Sequence, residues 1–73
     1  MKVKVLMWEV GVARKDTKER FEVVVPAKTN EQATKIAGKL YPWGCDEPYQ
    51  WTGTGPAYGV DGKRLTIEIN TEG

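Results

Sequence analysis

Residues 20–40 read RFEVVVPAKTNEQATKIAGKL, and they decide the fold because they change hydrophobic period at a proline. Up to Val25 the chain alternates: Phe21, Val23 and Val25 lie on one face of an extended segment, with Arg20, Glu22 and Val24 on the other. Pro26 closes that strand, expected over 20–25. Thr29-Asn30-Glu31-Gln32 then has the form of a capping box, in which the Thr29 hydroxyl and the Gln32 side chain satisfy end amides reciprocally. Ala33, Ile36, Ala37 and Leu40 follow at helical spacing, with Glu31, Lys35 and Lys39 on the outer side. Tyr41-Pro42 ends the helix, since a residue before proline is pushed out of the helical region. The expected helix spans 30–40 and is too short to persist without packing.

Working outward, residues 2–12 are dense in Val, Leu, Met and Trp and contain no proline, the signature of a long first strand. The polar run Ala13 to Glu19 makes the two strands an antiparallel hairpin with a longer, mobile tip. On the C-terminal side, Leu65, Ile67 and Ile69 alternate with Arg64, Thr66, Glu68 and Asn70. Asp61-Gly62 before them reads as a type I′ turn with Tyr58 to Val60 as the preceding arm, a closing hairpin over 58–70. The expected fold is α+β: one domain over 1–73, a small antiparallel sheet in the order ββα then a C-terminal hairpin, with one helix packed on one face.

A chain of 73 residues buries only about 60% of the surface its unfolded form exposes, so its core contributes about 3–5 kcal/mol and further support is expected from packing or a partner. Cys45 is the sole cysteine and there is no histidine. An internal disulfide is therefore excluded, and the commonest metal ligand and general base is missing. Forty per cent hydrophobic and 29% charged residues place the chain among globular proteins rather than disordered ones. No signal-type apolar region and no spanning-length apolar run is seen. With the lone cysteine, this points to a reducing, cytoplasmic setting and no membrane partner.

Two apolar features are in surplus. In the first strand Val3, Val5 and Met7 point one way while Leu6, Trp8, Val10 and Val12 point the other, so a row is left over whichever meets the helix. Three covers are available for it: the aromatic loop, a second copy of the chain, or another partner. The loop over 41–59 reads YPWGCDEPYQWTGTGPAYG and holds five of the seven aromatics and no Lys or Arg. Aromatics on this scale argue against disorder, and Tyr49 to Thr52 have the residues of a short strand. Trp43 and Trp51 either fold back over the Trp8 face as a small second core or stand out as a recognition surface. The candidate protein-contact residues are Trp8, Tyr41, Trp43, Tyr49, Trp51 and Tyr58.

Charge is divided: residues 1–40 carry nine Lys or Arg against five Asp or Glu, and residues 41–73 two against five. Arg14, Lys15, Lys18 and Arg20 at the hairpin tip, with Lys35 and Lys39 on the helix, form an alternative nucleic-acid surface. Asp16 and Glu19 dilute it, and a pI near 7.8 is below that of basic binding domains. Cys45 beside Asp46 and Glu47 lacks the electropositive setting of a nucleophile. The Gly53-Thr54-Gly55 stretch has neither dinucleotide nor phosphate-loop spacing. No catalytic residue, cofactor or metal site is expected. The expectation is a non-enzymatic adaptor or inhibitor type of protein, of the kind phages and mobile elements make, that contacts a protein partner or forms a homodimer.

Overall fold

Thirteen residues, Lys2–Arg14, run as one strand, β1, and every other strand pairs with it. The computed structural model of the chain describes residues 1–70. β2 (Arg20–Pro26) lies antiparallel along one edge of β1, from Ala13 opposite Arg20 to Met7 opposite Pro26. After α1 (Asn30–Leu40), β3 (Tyr49–Pro56) pairs antiparallel with Trp8 to Arg14, and β4 (Thr66–Asn70) with Lys2 to Leu6. Met7 joins the last two: its N–H donates to the Leu65 carbonyl at 3.0 Å and its carbonyl accepts from Ala57 N–H at 3.2 Å. The amide and carbonyl of one strand residue point to the same edge. β3 and β4 are thus consecutive stretches of a single edge, separated by the excursion 57–65. The α+β fold with an antiparallel sheet and one helix on one face is the architecture found.

Sequence dictates most of the local geometry. At the N-terminus of α1 the Thr29 hydroxyl accepts from Gln32 N–H at 3.2 Å. The Gln32 side chain, however, returns to Lys28 N–H at 3.1 Å instead of Thr29, so the box closes one residue early. Tyr41 N–H closes the other end on the Ala37 carbonyl. Ala33 and Ala37 are fully buried against Val10, Val12, Val25 and Ala27. Small residues at the helix contact bring α1 close to the sheet, and the largest fully buried side chains are the valines at 10 and 12.

The structure amends several expectations. β1 and β2 extend to Arg14 and Pro26. The hairpin tip is closed by Arg14 N–H to Glu19 O at 2.8 Å and Lys18 N–H to Arg14 O at 3.0 Å. The segment 41–59 is not one loop, because β3 occupies Tyr49–Pro56. Its glycines and a bulge conceal it: Gly11 faces Gly53 while Val12 faces Trp51, leaving Thr52 as the extra residue. The Thr52 hydroxyl lies where a Cβ on Gly11 would be, which explains a glycine in mid-strand. The 58–70 hairpin pairs only as a Tyr58–Arg64 bridge. Its turn is not type I′, since of its residues only Gly62 has positive φ (78°). Gly62 N–H bonds to Gly59 O at 3.0 Å and Gly59 N–H to Lys63 O at 2.8 Å, a three-residue loop ending in a left-handed glycine. Released from that short arm, β4 sets Ile67 and Ile69 opposite Val5 and Val3 of β1, β-branched cross-strand pairs of the kind that stabilise sheets. Among the described residues no helix is long and apolar enough to cross a membrane.

Candidate binding surface at the Trp43 and Trp51 pair

The six aromatic candidates divide into packed and presented rings. Tyr41, at the end of α1, and Tyr49, at the start of β3, meet Phe21 of β2 edge to face, with centroids 5.0 Å (Phe21–Tyr41), 6.2 Å (Phe21–Tyr49) and 5.3 Å (Tyr41–Tyr49) apart. Edge-on contact of this kind is the favoured arrangement of quadrupolar rings. These three rings close the end of the core. Trp8 is also accounted for: its indole N–H donates to the Ala27 carbonyl at 2.9 Å, and the Arg64 guanidinium lies 4.3 Å over its ring. Of the two rings expected to fold over it, Trp43 and Trp51 stack on each other instead, and it is Arg64 of the 57–65 excursion that lies on the Trp8 ring.

Trp43 and Trp51 form the remaining site. Tyr41-Pro42 turns the chain off the helix, and Trp43 pairs back against Tyr49. Its indole lies against α1 at Gly38, where a Cβ would come within 3.1 Å of Cζ2. The helix-interior glycine is thus a seat for the ring. Trp51 stacks on Trp43, with centroids 6.4 Å apart and planes at 28°. Its N–H donates to Thr54 Oγ1 at 2.9 Å, and that hydroxyl shares a 2.7 Å hydrogen bond with Thr34 Oγ1 of α1. Held from two sides, Trp51 nevertheless remains 45% exposed.

A hollow lies on each side of it. One, about 510 Å³, is lined by Lys15, Trp43, Cys45, Tyr49 and Gln50 with Trp51. The other, about 290 Å³, lies between Trp51 and the first turns of α1 at Asn30, Glu31, Thr34 and Lys35. Lys15 spends its ammonium on the Gly44 carbonyl and, at 3.5 Å, on that of Cys45. Tyr58 is 61% exposed but sits in the small hairpin and does not border either hollow.

The basic candidates do not form one patch. Lys15 and Lys35 flank Trp51 in separate hollows. Arg14 pairs with Asp16 at 3.3 Å. Lys18 is in the tip, in the left-handed region at φ 62°. Arg20 stands opposite Ala13, in the row that also carries Glu22. Lys39 is in the last turn of α1. Asp16 is held below the usual carboxylate range, chiefly by the Thr17 N–H. Glu9 is raised above it, first by a hydrogen bond with Glu22, then by that neighbour's charge and by desolvation.

Sequence reasoning missed the composition of the open sheet face. Cross-strand partners share a face, so Val3, Val5, Ile67 and Ile69 stand together on the side turned away from α1. Two alternating apolar rows were visible, but nothing in the chain says that they pair with each other. The search for relatives is negative on all three counts: no family model, no curated protein and no solved structure matches the chain.

Proposed function

We infer that the protein is a non-enzymatic contact module that engages a segment of a partner protein across the exposed edge of Trp51. The observation carrying this reading is an indole that is nearly half exposed yet fixed, by a stack on Trp43 and a hydrogen bond to Thr54, between two hollows. A ring already immobilised loses little entropy on binding, and tryptophans in such positions dominate interface energetics. The hollows accept side chains from either side of the ring, as an extended segment would supply them. An adaptor or inhibitor type of role in the cytoplasm follows, the compartment being chosen for the exposed, unpaired Cys45.

A second reading, single-stranded nucleic acid, draws on Lys15 and Lys35 flanking a ring able to stack on bases. It is the weaker of the two. Lys15 is tied to backbone carbonyls, and Glu31 shares the second hollow with Lys35.

Affinity capture from nuclease-treated lysate tests the choice. The protein reading expects a polypeptide retained by the wild type and by Arg14→Ala, Lys18→Ala, and lost with a folded Trp51→Ala. Capture that disappears on nuclease treatment, or that is indifferent to Trp51, overturns it. Lys15 is left intact in this design because it lines the same hollow as Trp43.

A further inference from the structure

We propose that the sheet face opposite α1 is a homodimer interface, in which two copies pack the β1–β4 apolar rows face to face about a two-fold axis. Val3 and Val5 of β1 stand opposite Ile69 and Ile67 of β4, and Met7 continues the row at its junction with Leu65. Val3, Leu65, Ile67 and Ile69 are each 38–39% exposed. α1 covers the other face, where Val10, Val12 and Val25 meet Ala33 and Ala37. The alternate row of the β1–β4 ribbon carries Lys2, Lys4, Thr66, Glu68 and Asn70, with Leu6 as its one apolar member.

Geometry and charge select a second copy as the cover. The molecule is a plate of 43 × 31 × 15 Å, and the six apolar residues lie toward one end of a broad side, on the two-stranded β1–β4 ribbon. The six apolar residues map onto themselves under a two-fold axis that lies in the interface and runs across the strands at Val5 and Ile67. Val5 then meets Val5, Ile67 meets Ile67, Val3 meets Met7 and Ile69 meets Leu65 of the second copy, the self-matching an isologous contact requires. Glu9 and Glu22 bound the patch at one end. The same axis carries each acid pair away from its equivalent and toward the Lys2 end of the other copy. Edge pairing is the alternative, and its charges oppose it. An antiparallel β4–β4 contact centred on the strand puts Glu68 against Glu68, and a β1–β1 contact over residues 2–5 brings Lys2 and Lys4 together.

Sedimentation from about 10 µM to about 1 mM tests this, a span that brackets dissociation constants of roughly tens to hundreds of micromolar. No partner is needed, so the outcome is independent of the Trp51 reading. The expected result is a species of twice the 8.2 kDa chain mass, with Ile67→Lys weakening dimerisation by about tenfold or more and leaving the circular dichroism unchanged. Should Ile67→Lys not fold, cysteine placement decides. In a Cys45→Ser background, Ile67→Cys treated with oxidised glutathione gives a disulfide-linked pair and Val24→Cys does not. A monomer throughout the range, a dimer dissolved by Trp51→Ala but not by Ile67→Lys, or equal cross-linking at 24 and 67 overturns the proposal.

Discussion

Replacing Trp43 and Trp51 by alanine, singly and together, separates the ring the fold uses from the ring it holds up to solvent. Trp51 is 45% exposed, so a little over half of its side-chain surface, about 250 Å² for an indole, is covered. Allowing for what alanine still buries, at about 25 cal/mol per Å², the loss is about 2 kcal/mol. Trp43 is more deeply covered, between Gly38 of α1 and the Trp51 ring. Its truncation also opens a void beside the helix and should cost about 3 kcal/mol, at the low end for large aromatic residues in cores. The stack adds a coupling of about 0.5–1.5 kcal/mol that either single change removes, so the double variant should lose less than the sum. In a domain of this size each kcal/mol moves the thermal midpoint about 4–8 °C. Melting followed by far-ultraviolet circular dichroism should therefore show drops of about 8–16 °C for Trp51→Ala and about 12–24 °C for Trp43→Ala. If Trp51→Ala costs as much as Trp43→Ala, the outer ring is a structural element, and if the two effects simply add, the stack does not hold it in place; either result removes the basis of the contact reading.

Three further outcomes follow from the fold. Thr29→Ala removes the hydroxyl that caps Gln32 N–H and should cost about 1 kcal/mol, read from the urea midpoint. Gly11→Ala places a methyl group on the Thr52 hydroxyl and should cost about 1–2 kcal/mol; because only the hydroxyl is in the way, the double variant Gly11→Ala, Thr52→Ala should recover most of the loss. Glu9 holds its proton to higher pH than an ordinary carboxylate because Glu22 hydrogen-bonds to it and repels its charge. A raised folded-state value contributes stability that is present below the unfolded pKa and lost as pH rises through the folded one. Glu22→Gln should flatten that decline, which thermal midpoints at about pH 4 and about pH 7 would record.

The sequence was most legible where local rules and tertiary demands agree. Thr29, the alanines at helical spacing and Tyr41-Pro42 delimit α1 correctly because capping and proline sterics act over a few residues. β2 was legible from its alternation and from Pro26. β3 was half hidden, since Gly53, Thr54 and Gly55 have low strand character and are held there by their pairing with Glu9, Val10 and Gly11. β4 was recognisable as a strand but not in its partner, because Leu65, Ile67 and Ile69 suit a hairpin with residues 58–60 as well as they suit β1. Only the complete fold reveals that β1 reaches past the helix-covered part of the sheet to offer Val3 and Val5.

The same limit governed the site. The aromatic richness of residues 41–59 marked a special region, yet a row of rings does not say which are anchors. Tyr41 and Tyr49 turned inward because Phe21 meets them across the sheet end. Trp51 stayed outward because Trp43 had taken the seat at Gly38. A glycine in the last turn of an otherwise well-formed helix was the available signal for that seat.

The indole N–H resonances offer the most direct test of the central claim, because the three tryptophans report from three places. Trp8 is bonded to Ala27 inside the fold, Trp51 to Thr54 at the surface, and Trp43 lies stacked between Trp51 and α1. In a heteronuclear titration with the polypeptide captured from lysate, the account predicts that the Trp51 and Trp43 signals shift or broaden while Trp8 stays in place. Shifts confined to Trp8 and the amides of Val3, Val5, Ile67 and Ile69, with Trp51 unmoved, would contradict it.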